Sequence, residues 1–179
     1  MTYYSGRQLA SSFRTVRANT IQLAEEIPED KYDFKAAPDT RSIAQTLVHI
    51  AISPSFQAHV HQNKFTDLKA VNFPELMQKL GIEEGTPRNK PQIIALLKDK
   101  GESFAAYLEG LDDAFLGEQV SMPPGAQPAA KSRFEMLLSP KEHEMHHRGQ
   151  LMLIERLLGV VPHLTREMQA RFAGAQARA

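Results

Sequence analysis

The chain of 179 residues contains no cysteine. That absence excludes disulfides, thiolate metal ligands and a cysteine nucleophile together, so any thiol chemistry needs the thiol to arrive with a substrate. An excess of either charge is missing as well. Lys plus Arg and Asp plus Glu number 21 each, which leaves no global positive field to draw the protein to phosphate backbones or anionic lipid. Nucleic acid is therefore not an expected partner. No apolar run approaches the length that spans a membrane, and the opening "MTYYSGRQLASSFRTVRANT" lacks the uninterrupted apolar stretch of a signal peptide. The expectation is a cytoplasmic protein with no membrane association. Alternating stretches that would argue for a sheet are also lacking, as is any internal repeat at a fixed period.

What is present suits one globular domain over residues 1–179, with 42% hydrophobic and 23% charged residues. Four long helical patterns are separated by segments rich in Pro, Gly and Asp. The first, about residues 5–27, carries Leu9, Phe13, Val16, Thr20, Leu23 and Ile27 at intervals of three and four. The second starts at Ser42 as N-cap, with Gln45 completing a capping box, and is interrupted by Pro54, which removes the helical partner of the Ile50 carbonyl. A third spans about 90–111, with Ile93, Ile94, Leu97, Phe104, Leu108 and Leu111 facing inward. The fourth could begin at Ser132, with Glu135 completing a capping box, or at Ser139, with Pro140 in the first turn and Glu142 three on; one helix over about 132–158 is expected, bent near Pro140 and ended by Gly159. Residues 63–89 read as an irregular connection with a short helix around "FPELMQKLG", closed by Gly81 and Gly85, and "VSMPPGAQPAAK" reads as a loop. "TREMQARFAGAQARA" reads as a short helix that frays at its end. The pattern predicts an all-α four-helix bundle with both short and long connections.

The stretch "KEHEMHHRGQ" holds the chemistry. His143 and His147 stand four residues apart, so their imidazoles share one helical face about a turn apart, a spacing suited to chelation. With seven His in the chain, an accidental pair of this spacing arises in roughly one such composition in four, so a third donor is needed. Taken as His143-Glu144-x-x-His147, the stretch matches the zinc-protease pattern, with Glu167 as the downstream ligand. Such proteases hold an extended substrate against a sheet edge, for which no sheet is expected, and Glu167 lies past Gly159 and Pro162 in a polar tail. His49, among Ile43, Leu47, Ile50 and Ile52, is the other candidate. Alone it reads as a neutral core histidine, but with the pair on the fourth helix it completes a three-His site. His146 lies beside that stripe, and Gln150 continues it into the surroundings of the metal. His59 and His61, in "QAHVHQNK", read as surface residues.

"SIAQTLVHIA" together with "HEMHHRGQL" resembles the DinB superfamily of helix-bundle metalloenzymes of the DinB/YfiT-like type. The likeness extends to "IPEDKYDFKAAPDTRSI" and to "GVVP" after the fourth helix. It implies that His49, His143 and His147 are the metal ligands, that the metal is divalent, most often nickel or zinc, and that the bundle forms a homodimer. It further implies thiol-dependent transfer to a small electrophilic substrate, with a low-molecular-weight thiol as cosubstrate, and makes the zinc-protease match coincidental. Three neutral imidazoles would leave the full metal charge in place and at least one position open. Metal-dependent hydrolysis is the alternative, and a non-catalytic metal-binding sensor or interaction module a further one. The last would favour a closed site with a fourth ligand, for which Glu144 and His146 are the candidates.

Overall fold

The computed structural model describes residues 4–176. Its long elements are α1 (Gly6–Glu26), α2 (Ile43–Ile52), α3 (Pro54–Gln62), α5 (Lys90–Glu109) and α7 (Arg133–Leu157). The remaining helices, outside the four rods, are α4 (Phe73–Gly85), α6 (Asp113–Gly117) and α8 (His163–Gln176). α2 and α3 follow one another across Pro54, so α1, α2–α3, α5 and α7 form the four rods of a four-helix bundle. No helix among the described residues is long and apolar enough to cross a membrane.

The boundaries follow from local chemistry. Ser42 and Gln45 form the expected reciprocal cap of α2, with the Gln45 amide donating to Ser42 Oγ (3.2 Å) and the Ser42 amide donating to Gln45 Oε1 (2.9 Å). Asn89 and Gln92 cap α5 in the same way. Ser132 caps α7, accepting from the Glu135 amide at 3.1 Å, and the helix then runs through Pro140 to Leu157. Gly159 adopts φ 79° just beyond it, the left-handed conformation that ends a helix at low cost to glycine. α4 runs through Gly81 and stops at Gly85. α8 occupies the expected C-terminal segment, and the fraying expected at residues 177–179 lies outside the described residues.

One expectation needs correction. "VSMPPGAQPAAK" is not all loop: its two ends belong to three-residue strands, β1 (Gln119–Ser121) and β2 (Ala130–Ser132), paired antiparallel. Strands this short bury one side chain, Val120, and so leave no readable alternation.

Two apolar clusters fill the bundle. One contains Leu23, Ile27, Ile43, Leu47, Ile93, Leu97 and Leu151, and the other Leu9, Phe13, Phe104, Leu108 and Leu137. Arg17 and Glu144, 3% and 0% exposed, are buried in the bundle with them. Arg17 Nε lies 3.0 Å from both Glu144 carboxylate oxygens, and Nη2 lies 2.9 Å from Oε2. Its remaining donors reach Leu97 O on α5 (2.9 Å) and Ile50 O on α2 (3.2 Å). One guanidinium thus ties together all four rods. The Ile50 carbonyl is the group that Pro54 deprives of its helical partner, so the helix break leaves an acceptor that Arg17 shares with the Ser53 hydroxyl, also at 3.2 Å. Gly101 makes the arrangement possible, since a Cβ there would stand 2.8 Å from Arg17 Cγ.

Candidate metal centre

α2 and α7 bring three imidazoles to one point. His49 Nε2 lies 3.1 Å from His143 Nε2, and His143 Nε2 lies 3.2 Å from His147 Nε2. Among the described residues these three form the group of His, Asp and Glu donors placed to hold a metal ion. A tetrahedral metal with bonds of about 2.0–2.1 Å to nitrogen separates its donors by about 3.3–3.4 Å, so the spacing fits with a small expansion.

Two of the three rings are prepared for that role by their outer nitrogens, while His143 Nδ1 is buried without a hydrogen-bond partner among the described residues. His49 Nδ1 lies 3.0 Å from Glu84 Oε2, and His147 Nδ1 lies 2.8 Å from Gln150 Oε1. Both acceptors select the tautomer with hydrogen on Nδ1, leaving the Nε2 lone pairs directed at the shared point. Glu84 is itself held by Arg41 Nε at 2.6 Å. Burial would raise the Glu84 carboxyl, but the bonds from Arg41 and His49 prevail and keep it below the ordinary carboxylate range. Burial, helped by the charges of His147, His49, His146 and Arg41, pushes His143 down to about 4. Burial also lowers His147, against the opposing bond to Gln150. Those two rings are neutral near pH 7, the state a metal ligand needs.

The expected site residues are therefore together, and the alternatives are not. Glu144 points into the core and is consumed by Arg17, which removes it both as a zinc-protease base and as a fourth ligand. His146 is exposed, with Nε2 3.2 Å from Gln150 Nε2, and stands outside the donor group. Glu167 is exposed on α8, away from that group. The expectation that His61 lies on the surface is wrong. It is 1% exposed, and its Nδ1 accepts from Arg133 Nη1 at 3.0 Å while Nε2 donates to Gln57 Oε1 at 3.1 Å. The physical reason is the fully buried Arg133 at the start of α7, whose guanidinium needs an acceptor there. Burial and Arg133 push His61 down to about 4, so it is a neutral structural group.

A cavity of about 610 Å³ adjoins the centre, with His147 and Gln150 in its wall. Arg41, Gln45 and Thr46 line it from the start of α2, and Leu153, Ile154 and Leu157 from α7. Sequence reasoning placed Gln150 correctly and missed Glu84 and Arg41. Glu84 lies in the last turn of α4, within the segment expected to be an irregular connection, where no periodicity indicates what it reaches.

Fold and side-chain cluster together define a four-helix bundle with an interhelical three-histidine centre. The chain belongs to the DinB superfamily, whose profile matches residues 12–151. It is 26% identical over 152 residues to the uncharacterized protein YjoA of Bacillus subtilis, covering 85% of this chain and 90% of that one. The crystal structure of YjoA superposes with a TM-score of 0.62 at 24% identity, covering 85% of this chain and 92% of YjoA. A DinB-like protein from Bacillus cereus gives 0.68 at 15% identity over 90% and 97% of the two chains. YfiT from Bacillus subtilis, described as a probable metal-dependent hydrolase with an unusual four-helix bundle topology, gives 0.68 at 15% identity over 89% and 91%.

Proposed function

We propose that this protein is a metal-dependent enzyme, with His49, His143 and His147 as ligands, that activates a nucleophile for attack on a small electrophilic molecule. The observation that carries the reading is three convergent Nε2 atoms without a fourth protein donor among the described residues, beside a cavity of about 610 Å³. When bound, a divalent metal such as zinc or nickel would supply Lewis acidity that lowers the pKa of a water or thiol beside it, the proton leaving to solvent.

The chain's own residues bear on the choice between the two nucleophiles. Glu84 is committed to Arg41 and His49. Asp39 is the cavity's carboxylate, and it is exposed to solvent. Protonation of a poor leaving group therefore has no dedicated, shielded donor among the described residues lining the cavity. Addition of an external thiol to an electrophile needs no such donor, which supports thiol transfer as the first reading. The absence of cysteine agrees with a thiol that comes from outside. Hydrolysis is the second reading, supported by the description of YfiT, and suits substrates whose leaving group departs as a stable anion.

The test is a comparison on zinc- or nickel-loaded protein. Conjugation of cysteine to 1-chloro-2,4-dinitrobenzene and hydrolysis of 4-nitrophenyl acetate are measured, each with His147→Ala as control. Thiol conjugation above background, lost in the variant, is the expected result. Ester hydrolysis alone would shift the assignment to a hydrolase, and neither activity with metal bound across a panel of thiols, electrophiles and esters would overturn the enzyme reading.

A further inference from the structure

Resting on the reading of the cavity as a substrate site, we infer that its ligand is a small organic monocarboxylate with an apolar body, its anionic end held by Arg41. The guanidinium spends Nε on Glu84 Oε1, while its two Nη groups carry no protein hydrogen bond among the described residues, and the side chain is 45% exposed on the cavity wall. A free Nη edge is a planar pair of donors that matches a carboxylate. The backbone does not compete for the anion. The first amides of α2 are already used, Ile43 N donating to Phe34 O and Ala44 N to Tyr32 O.

Arg41 is joined to the metal centre through Glu84, which it shares with His49. A ligand gripped there lies in the cavity whose wall includes His147. The opposing charge on the wall is Asp39, which would repel a second anionic group and so favours a single one.

α7 supplies the apolar side. Leu153 and Leu157 are 61% and 62% exposed and both line the cavity, with buried Ile154 between them. Single exposed leucines are ordinary, but two in one row on the wall of a cavity form a surface for a hydrocarbon. Their spacing of four residues covers roughly 6 Å along the helix, about the length of five methylenes.

The experiment is calorimetric titration with octanoate, acetate and octanamide, on metal-free and zinc-loaded protein. The expected result is octanoate binding at least tenfold tighter than either comparator in both forms. Arg41→Gln should reduce octanoate affinity at least tenfold, and Arg41→Lys should restore part of the loss. Leu153→Asn with Leu157→Asn should abolish the advantage of octanoate over acetate. Equal affinity for octanoate and octanamide, or unchanged octanoate affinity in Arg41→Gln, overturns the proposal. Zinc content measured on the same samples is independent. Loss of octanoate binding with one zinc per chain retained leaves the metal centre standing, whereas octanoate binding without zinc uptake supports the carboxylate site and removes the metal.

Discussion

Replacing Glu144 by Ala separates the two readings of "HEMHH" by what it damages. In a zinc-protease arrangement the glutamate activates water, and its loss abolishes activity while the fold persists. Here it is a wholly buried partner of Arg17, meeting Nε at 3.0 Å through both oxygens and Nη2 at 2.9 Å. Removing one member of a buried pair leaves the other charge unpaired, which costs about 3–5 kcal/mol. The two backbone acceptors of Arg17, Leu97 O and Ile50 O, carry no net charge and cannot replace the carboxylate. For a chain of this length each kcal/mol lowers Tm by about 2–4 °C, so Glu144→Ala should melt about 6–20 °C below the wild type. The assay is thermal unfolding followed by circular dichroism, with metal content measured well below Tm. Retained metal stoichiometry is expected. Arg17→Met combined with Glu144→Leu should recover much of the loss, because apolar residues of similar volume remove both buried charges. A Glu144→Ala variant that melts within about 2 °C of the wild type would refute the argument.

Two other perturbations test separate parts of the structure. Glu84→Gln should weaken metal binding by about 10–100-fold without abolishing it, as measured by competition with a chromogenic chelator, because the amide can still accept from His49 but carries no charge; unchanged affinity would show that Glu84 does not support the ligand. Glu155 is wholly buried with neither carboxylate oxygen bonded among the described residues, and burial with help from Glu26 pushes it up to about 7, against the opposing charges of Arg166 and Arg156. Its folded pKa lies above the unfolded value, so the folded state binds the extra proton, and stability falls as pH rises from about 4.5 through 7. Glu155→Gln should therefore be the more favourable variant at pH 8 than at pH 5, by on the order of 1–3 kcal/mol relative to wild type in urea unfolding. A difference independent of pH would contradict this.

Much of the fold was legible because its signals are local. The Ser42 and Ser132 caps, the inward stripes of α1 and α5 and the break at Pro54 each depend on residues within a few positions of one another. The donor triad was legible in part: the pair on α7 follows from its spacing, and His49 from its place on an apolar helix. The Arg17–Glu144 pair left a signal that went unused. Arg17 falls on the inward stripe with Phe13, Val16 and Thr20, and Glu144 shares a face with Leu137, Pro140 and Leu151, all of them buried. Opposite charges on two inward faces imply a buried pair. His61 gave no comparable warning, since its burial depends on Arg133, more than seventy positions away. Glu84 and Arg41 become site residues only when α4 packs on α2, a tertiary event with no local pattern.

The central claim is that α2 and α7 share one metal ion, and His49 tests it most directly. The measurement is elemental analysis of untagged protein and of His49→Ala, after incubation with zinc or nickel and removal of excess, with helicity recorded on the same samples. The account predicts about one metal per chain in the wild type and its loss in the variant, with helicity unchanged. Full metal content in His49→Ala, or none in the wild type, would contradict it.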